Sequence, residues 1–67
     1  MIQIILNGKP YNIKEKTNII SLLETLSLSE KKVAIEINEE VIPRNNYDKK
    51  ILLAKDRVEI VHFIGGG

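Results

Sequence analysis

The sequence contains no cysteine and no tryptophan, and three of its four glycines are its last three residues. Without cysteine the chain has no disulfide, no thiolate nucleophile and no cysteine ligand for a metal. The sequence also lacks an excess of one charge, because it contains ten Lys and Arg and nine Asp and Glu, for a net charge of +1. The composition therefore favours a protein that binds no nucleic acid.

Long hydrophobic runs and nucleotide-binding loops are missing as well. The apolar stretch at residues 2–6 is too short for a signal peptide or a membrane span, so we expect a cytoplasmic protein that binds no membrane. No G-x-x-x-x-G-K-[ST] segment is present to hold the phosphates of ATP. A chain of 67 residues has room for one small domain without a deep catalytic cleft.

The few candidate catalytic or metal-binding side chains do not combine into a site. His62 is the only histidine and has no second ligand at a suitable spacing. We expect it at the edge of the sheet, near the helix layer. Asp56 and Glu59 fall on opposite faces of a strand, which excludes an acid/base pair. Asp56 is more typical of a turn residue that accepts hydrogen bonds from nearby backbone.

The first third of the chain predicts a hairpin followed by a helix. Residues 2–6 are rich in β-branched side chains and precede Asn7-Gly8, a pair that suits a type I′ turn. The two-residue turn places Ile4 opposite Tyr11 and Ile5 opposite Pro10. Beyond the hairpin, an amphipathic helix is predicted from an N-cap at Asn18 and the apolar stripe Ile19, Leu22, Leu23 and Leu26.

The remaining segments predict strands. Residues 33–37 alternate between apolar and small or polar side chains, and residues 41–42 pair briefly before Pro43 ends the ladder. Residues 51–53 are predicted as a short strand and residues 57–64 as the last one. The order β-β-α-β-β-β favours an α+β fold, in which one helix packs on one face of a mixed sheet of four to five strands.

The opposite face of the predicted sheet has no helix to cover it. By strand parity, Ile5, Val61 and Phe63 point to this open face, at the root of the C-terminal glycines. An exposed apolar patch of this kind is typical of a docking site for a partner protein. A loop or a dimer contact that covers the patch is the alternative.

The C-terminal glycines Gly65, Gly66 and Gly67 directly follow the last predicted strand. Because glycine loses more entropy on ordering than any other residue, we expect a flexible tail at residues 65–67 after a domain at residues 1–64. Such a tail is slender enough to enter a narrow active site, and Gly67 carries the α-carboxylate. A frayed end without function is the alternative.

These features together resemble the ThiS family of sulfur carrier proteins. The matching segments are Leu6-Asn7-Gly8, Ala34-Ile35-Glu36-Ile37-Asn38, Val41-Ile42-Pro43-Arg44, Tyr47, Asp56-Arg57-Val58-Glu59-Ile60 and the closing Gly-Gly. Glu39 and Lys55 stand in turns where the family often has glycine, a departure that affects turn geometry more than chemistry. The resemblance implies a β-grasp, or ubiquitin-like, fold.

The resemblance also implies a role in making the thiazole ring of thiamine, with no enzymatic activity in the chain itself. In this role an ATP-using enzyme of the ThiF type adenylates the Gly67 carboxylate, and a sulfur donor converts it to a thiocarboxylate that thiazole synthase, ThiG, receives. Gly65 and Gly66 are then the stem of this reactive end. From strand parity, we expect the patch of Ile5, Val61 and Phe63 to dock the adenylating enzyme. We expect the chain itself to bind no cofactor or metal.

Two other functions of the same fold stay open. One is a MoaD-like sulfur carrier for molybdopterin synthesis, which shares the Gly-Gly end. The other is a ubiquitin-like modifier, whose terminal carboxylate becomes an isopeptide on the lysines of target proteins.

Overall fold

A five-stranded sheet with one helix forms the structure, a computed structural model that describes residues 1–63. The predictions for the glycine tail and for residue 64 lie outside these residues. The elements are β1 (Ile2–Leu6), β2 (Lys9–Ile13), α1 (Ile19–Thr25), β3 (Val33–Ile37), β4 (Glu40–Val41) and β5 (Arg57–His62). The strand order in the sheet is β2-β1-β5-β3-β4, so the last strand occupies the centre. β5 runs parallel to β1 and antiparallel to β3.

The predicted hairpin is confirmed, including its register. Ile4 pairs with Tyr11 and Ile5 with Pro10. Both turn residues adopt positive φ, 48° at Asn7 and 83° at Gly8, as a type I′ turn requires. The hairpin thereby places the even-numbered apolar residues of β1 on the face that receives the helix.

The helix is also confirmed, with its N-cap. The Asn18 side chain accepts a hydrogen bond from the backbone N–H of Ser21 at 2.8 Å, and α1 ends at Thr25 with Leu26 as its C-cap. Its apolar stripe packs on the inner faces of the strands and forms one core. The fully buried members of this core are Ile4, Ile19, Leu22, Leu23, Ile35, Leu52 and Val58.

Short 3₁₀ turns bracket strands β3 and β4. Glu30–Lys32 leads into β3, and Arg44–Asn46 follows β4. Tyr47, at the end of the second turn, is 2% exposed and belongs to the core. Burial raises the pKa of its phenol, an effect that Arg44 opposes and Glu30 reinforces.

The prediction of a strand at residues 51–53 is wrong. Ile51 forms only an isolated bridge with Asn18, and the backbone N–H of Leu52 donates to the carbonyl of Thr17 at 2.9 Å. The ladder stops there because Asn18 is the cap of α1, after which the neighbouring backbone is helical. The alternating burial of residues 51–53 comes from Leu52 alone, which fills the core while its neighbours stay exposed.

Candidate functional site

Strand β5 leads directly to the C-terminal glycines, so its surroundings define the candidate site. Its first residues are held by the Asp56 network, which we define as Asn38, Leu53, Asp56 and Arg57. Asp56 is 8% exposed, and its carboxylate accepts from the backbone N–H of Leu53 at 2.8 Å and from Nδ2 of Asn38 at 3.0 Å. This contact with Leu53 confirms the prediction that Asp56 binds nearby backbone.

Asn38 completes the network by binding the next residue of the strand. Its Oδ1 accepts from the Arg57 N–H at 2.9 Å, and its own N–H donates to the Arg57 carbonyl at 2.8 Å. Asn38 has φ 53°, a left-handed conformation that asparagine tolerates better than most residues. On the other side of the strand, the N–H of Ile5 donates to the Asp56 carbonyl at 2.9 Å.

In the middle of β5, the side chain of Asn7 makes the hydrogen bonds that the backbone of β1 would make if that strand were longer. β1 ends at Leu6, yet the Asn7 side chain accepts from the Ile60 N–H at 2.7 Å and donates to the Ile60 carbonyl at 3.3 Å. Asn7 was predicted only as a turn residue. Its second role joins residues that are 53 positions apart, and no local pattern reveals such a contact.

The last described residues of β5 stay paired with β3 alone. Val61 pairs with Ala34 and His62 with Val33, and the N–H of Phe63 donates to the Lys32 carbonyl at 2.7 Å. Val61 is 59% exposed and Phe63 45% exposed. His62 is exposed on the helix-facing side, next to the root of the tail.

The structure does not place the three predicted patch residues side by side. Ile5 pairs with Arg57, four residues before Val61 on β5. Four residues of a strand span about 13 Å. The orientation of the three side chains away from the helix agrees with parity, but Ile5 lies at the far end of the open face from Val61 and Phe63.

Other side chains accompany Val61 on the open face. Ala34, Val41 and Val61 line one groove together with Glu36 and Glu59. Val41 is 68% exposed although it lies in β4. Sequence reasoning missed Ala34 and Val41, although their alternation with buried neighbours pointed to this face.

Charges of one sign face each other across the middle of the open face. Glu36 and Glu59 are directly opposite each other on β3 and β5, an arrangement that destabilises a sheet. Arg57, the nearest cation on β5, lies 3.9 Å from a carboxylate oxygen of Glu39. On the open face the two glutamates therefore lie between Ile5 and Val61.

Residues 1–63 contain no group of three or more His, Cys, Asp or Glu side chains arranged to hold a metal ion. Within the same residues, no helix is long and apolar enough to cross a membrane. The candidate site consists of the central strand β5 and the exposed groove beside it.

A sequence profile of the ThiS family matches residues 4–67. The chain belongs to the ThiS family. Its match to this family covers the strands, the helix and the terminal glycines alike. The resemblance noted from the sequence is thereby confirmed.

Individual relatives agree with the ThiS assignment. The sulfur carrier protein ThiS of Bacillus subtilis is 43% identical over 63 residues, which cover 92% of this chain and 96% of that protein. A thiazole synthase of Magnetococcus marinus is 44% identical over 62 residues, 92% of this chain but only 19% of that protein. The chain thus spans about a fifth of the length of this thiazole synthase.

The fold of a solved ThiS matches as well. The crystal structure of the thiamine biosynthesis protein ThiS from Geobacter metallireducens superposes with a TM-score of 0.83 and 33% identity. The superposition covers 98% of this chain and all of the other. The predicted β-grasp fold, with its mixed sheet and single helix, is therefore confirmed for the described residues of this ThiS-family chain.

Proposed function

We propose that this chain is a sulfur carrier protein of thiamine biosynthesis and acts in the cytoplasm. The observation that carries the proposal is the ThiS-family match, which extends through the terminal glycines to Gly67. The near full-length similarity to the Bacillus subtilis sulfur carrier supports it. In this function the chain is a substrate and a carrier rather than a catalyst.

The chemistry begins at the Gly67 carboxylate. A carboxylate is a poor electrophile because it is anionic and has no good leaving group. Attack of its oxygen on the α-phosphate of ATP releases pyrophosphate and gives an acyl-adenylate. Hydrosulfide, delivered by the sulfur donor, then adds to the carbonyl carbon, AMP leaves with the electron pair of the broken C–O bond, and loss of a proton leaves the thiocarboxylate.

Glycine suits the reacting end for steric reasons. Gly65, Gly66 and Gly67 have no side chains to widen the stem or to restrict its φ and ψ angles. The same stem therefore fits one active site that charges it and a second that discharges it. The absence of cysteine also means that no thiol of the chain attacks its own activated end.

Two partner enzymes follow from this chemistry. The adenylation step needs an ATP-using enzyme of the ThiF type, because the chain has no phosphate-binding loop of its own. The receiving enzyme is a thiazole synthase, ThiG. In Magnetococcus marinus and Paramagnetospirillum magneticum, proteins named thiazole synthase contain a segment similar to this chain, which favours a direct transfer between the two.

The docking patch for the adenylating enzyme is proposed at Ile5, Val61 and Phe63. The exposure of Val61 and Phe63 supports their part in it. The groove that Val61 shares with Val41 extends the apolar surface away from Ile5. Replacement of Phe63 by Asp is expected to slow adenylation about tenfold, the effect of a well-packed apolar contact of about 1.4 kcal/mol. Unchanged adenylation of the Phe63→Asp variant would remove Phe63 from the patch.

The deciding experiment combines the chain with ATP, a ThiF-type enzyme and a sulfur donor, followed by intact mass measurement. The proposal requires replacement of one oxygen by sulfur at Gly67. A variant that lacks Gly66 and Gly67 is expected to fold normally but to remain uncharged. The Bacillus subtilis sulfur carrier serves as the positive control for the enzymes. No exchange under conditions that charge this control, or a ladder of protein conjugates instead, would contradict the proposal.

The acceptor is tested separately with the charged chain. Thiazole synthase is expected to consume the thiocarboxylate and regenerate the Gly67 carboxylate. Discharge only by a molybdopterin synthase subunit would instead favour the MoaD-like alternative.

A further inference from the structure

Successive residues of β5 direct their backbone hydrogen bonds to opposite sides. Toward β3, the Arg57 carbonyl accepts from the Asn38 N–H, and six residues later the Phe63 N–H donates to the Lys32 carbonyl. Toward β1, the Val58 carbonyl accepts from the Asn7 N–H at 2.8 Å. Val58, Ile60 and His62 therefore present their N–H and carbonyl groups to the β1 side, as the alternation of a strand requires.

The β1 side of the strand loses its neighbour before β5 ends. β1 ends at Leu6, and the positive φ of Asn7 turns the chain away into the hairpin. The Asn7 side chain then supplies the partners of Ile60. One step further, within residues 1–63, no backbone or side-chain group bonds to the N–H and carbonyl that His62 presents on this side.

Pairing with β3 keeps this free edge extended. Val33 lies opposite His62, and the Phe63 N–H still bonds to Lys32. A partner strand would therefore meet a backbone that is already in strand conformation, so little entropy is lost on pairing. Unpaired strand edges of this kind are templates for pairing with another chain.

The position of the edge relative to Gly67 narrows the choice of partner. Five residues lead from His62 to Gly67, which is a reach of at most about 18 Å. An enzyme that holds the Gly67 carboxylate in its active site must lie within this distance of the edge. Covalent geometry therefore brings both enzymes that act on Gly67 to His62, and the adenylating enzyme is the one that binds the chain in its uncharged form.

We propose that an extended segment of the adenylating enzyme pairs with the free edge of β5 at His62, adding a strand to the sheet. The proposal rests on the proposed function, since it takes the enzyme that activates Gly67 as the partner. Recognition of this kind uses main-chain hydrogen bonds. It therefore depends on the N–H of residue 62 and not on the imidazole side chain.

Two substitutions of His62 separate the contribution of its backbone N–H from that of its imidazole side chain. His62→Pro removes the N–H that points to the free edge, and proline is tolerated where a strand N–H faces solvent. His62→Ala removes the imidazole and keeps the N–H. We expect wild type and His62→Ala to be charged at similar rates. The kcat/KM for charging of His62→Pro is expected to fall about tenfold or more, because one or two hydrogen bonds to the enzyme are lost.

The outcomes distinguish this inference from the proposed function. Failure of the wild-type chain to be charged would count against the function itself. Equal charging of His62→Pro and His62→Ala, with both variants folded, would overturn the strand-pairing proposal and leave the function standing. Thermal unfolding and the dispersion of amide resonances report whether the proline variant is folded.

Amide hydrogen exchange of the wild-type chain tests whether the adenylating enzyme pairs with β5 at His62, even if His62→Pro does not fold. In the free chain, the His62 amide is expected to exchange faster than those of Val61 and Phe63, which bond to β3. Addition of the adenylating enzyme without ATP is expected to protect it. Fast exchange of His62 at saturating enzyme would overturn the proposal. Protection that depends on chain concentration without enzyme would also overturn it, by assigning the edge to a second copy.

Discussion

The two ends of strand β5 differ in how they are held. At its start, the Asp56 network binds Asp56 and Arg57 from one side while the N–H of Ile5 binds the Asp56 carbonyl from the other. At its exit, His62 pairs only with β3 among residues 1–63. The same strand is thus fixed where it enters the core and open on one side where it continues to the glycines.

This difference follows from the lengths of the neighbouring strands. β1 turns away at Asn7, whereas β3 and the residue before it accompany β5 as far as Phe63. The contact of the Asn7 side chain with Ile60 marks the boundary between the part of β5 that is bound on both sides and the part that is bound on one side. Stability should therefore depend mostly on contacts before this boundary, and partner binding on groups after it. Substitutions along and beside β5 test this division.

The largest loss of stability is expected from Asp56→Ala. Removal of the buried carboxylate leaves the Leu53 N–H and the Asn38 side-chain amide without their acceptor, so the free energy of unfolding should fall by about 1–3 kcal/mol. Urea unfolding measures this change. The exposed Asp48 is the matched control, and Asp48→Ala should change stability by less than about 0.5 kcal/mol. Similar values for the two variants would mean that the start of β5 is not specially held.

A smaller loss is expected at the boundary, from Asn7→Gly. Glycine retains the positive φ of residue 7 but loses both hydrogen bonds to Ile60, a cost of about 1 kcal/mol. Loss of the hydrogen bond to the Ile60 N–H should also raise the exchange rate of the Ile60 amide. Asn7→Ala should lose more stability, because alanine lacks the tolerance of asparagine for this backbone conformation. An Ile60 amide that stays protected in Asn7→Gly would show that the side chain does not serve as the partner of Ile60.

A gain is expected at the turn before β5, from Lys55→Gly. Lys55 has φ 70°, which is unfavourable for residues with a Cβ, and its replacement should raise the free energy of unfolding by about 0.5–1 kcal/mol. Lys49→Gly tests the opposite case, because Lys49 is exposed and is not among the residues with positive φ. That control should lose about 0.5 kcal/mol through the added freedom of the unfolded chain. A loss of stability in Lys55→Gly would show that the positive φ of Lys55 does not strain the folded chain.

The smallest effect is expected midway along β5, from Glu59→Lys. The new ammonium group faces Glu36 across the strands in place of a second carboxylate, and the fold should gain about 0.5 kcal/mol at low salt. Salt should reduce the gain, since these side chains are exposed. In a chain that also carries Glu36→Gln, the same Glu59→Lys substitution should have almost no effect, because the carboxylate opposite it is gone. A loss of stability in Glu59→Lys would indicate that the carboxylate makes a favourable contact on the open face.

Much of the fold was predictable because its signals are local. The Asn7-Gly8 turn determines the hairpin register, and the helix follows from its apolar stripe and the cap at Asn18. Parity alone assigned Val61 and Phe63 to the open face. The apparent strand at residues 51–53 failed because its alternation reflects one core residue with a helix cap as neighbour.

The arrangement of the candidate site was less predictable, because it depends on which strands become neighbours. Ile5 and Val61 point to the same face, but the parallel register of β1 and β5 separates them. The contact of Asn7 with Ile60 and the binding of Arg57 by Asn38 both arise only after the sheet has formed. The free edge at His62 depends on the same topology and has no signature in the sequence.

The central place of β5 also bears on how the protein is made. The hairpin of β1 and β2 and the pair of β3 and β4 lie on opposite sides of β5, which the ribosome synthesises after both. Two-stranded pairs are at best marginally stable alone. A nascent chain that stops short of Arg57 therefore has no continuous sheet to support its helix. The domain can be completed only when its last strand has emerged from the ribosome, so chains that end before Arg57 should be degraded by proteases.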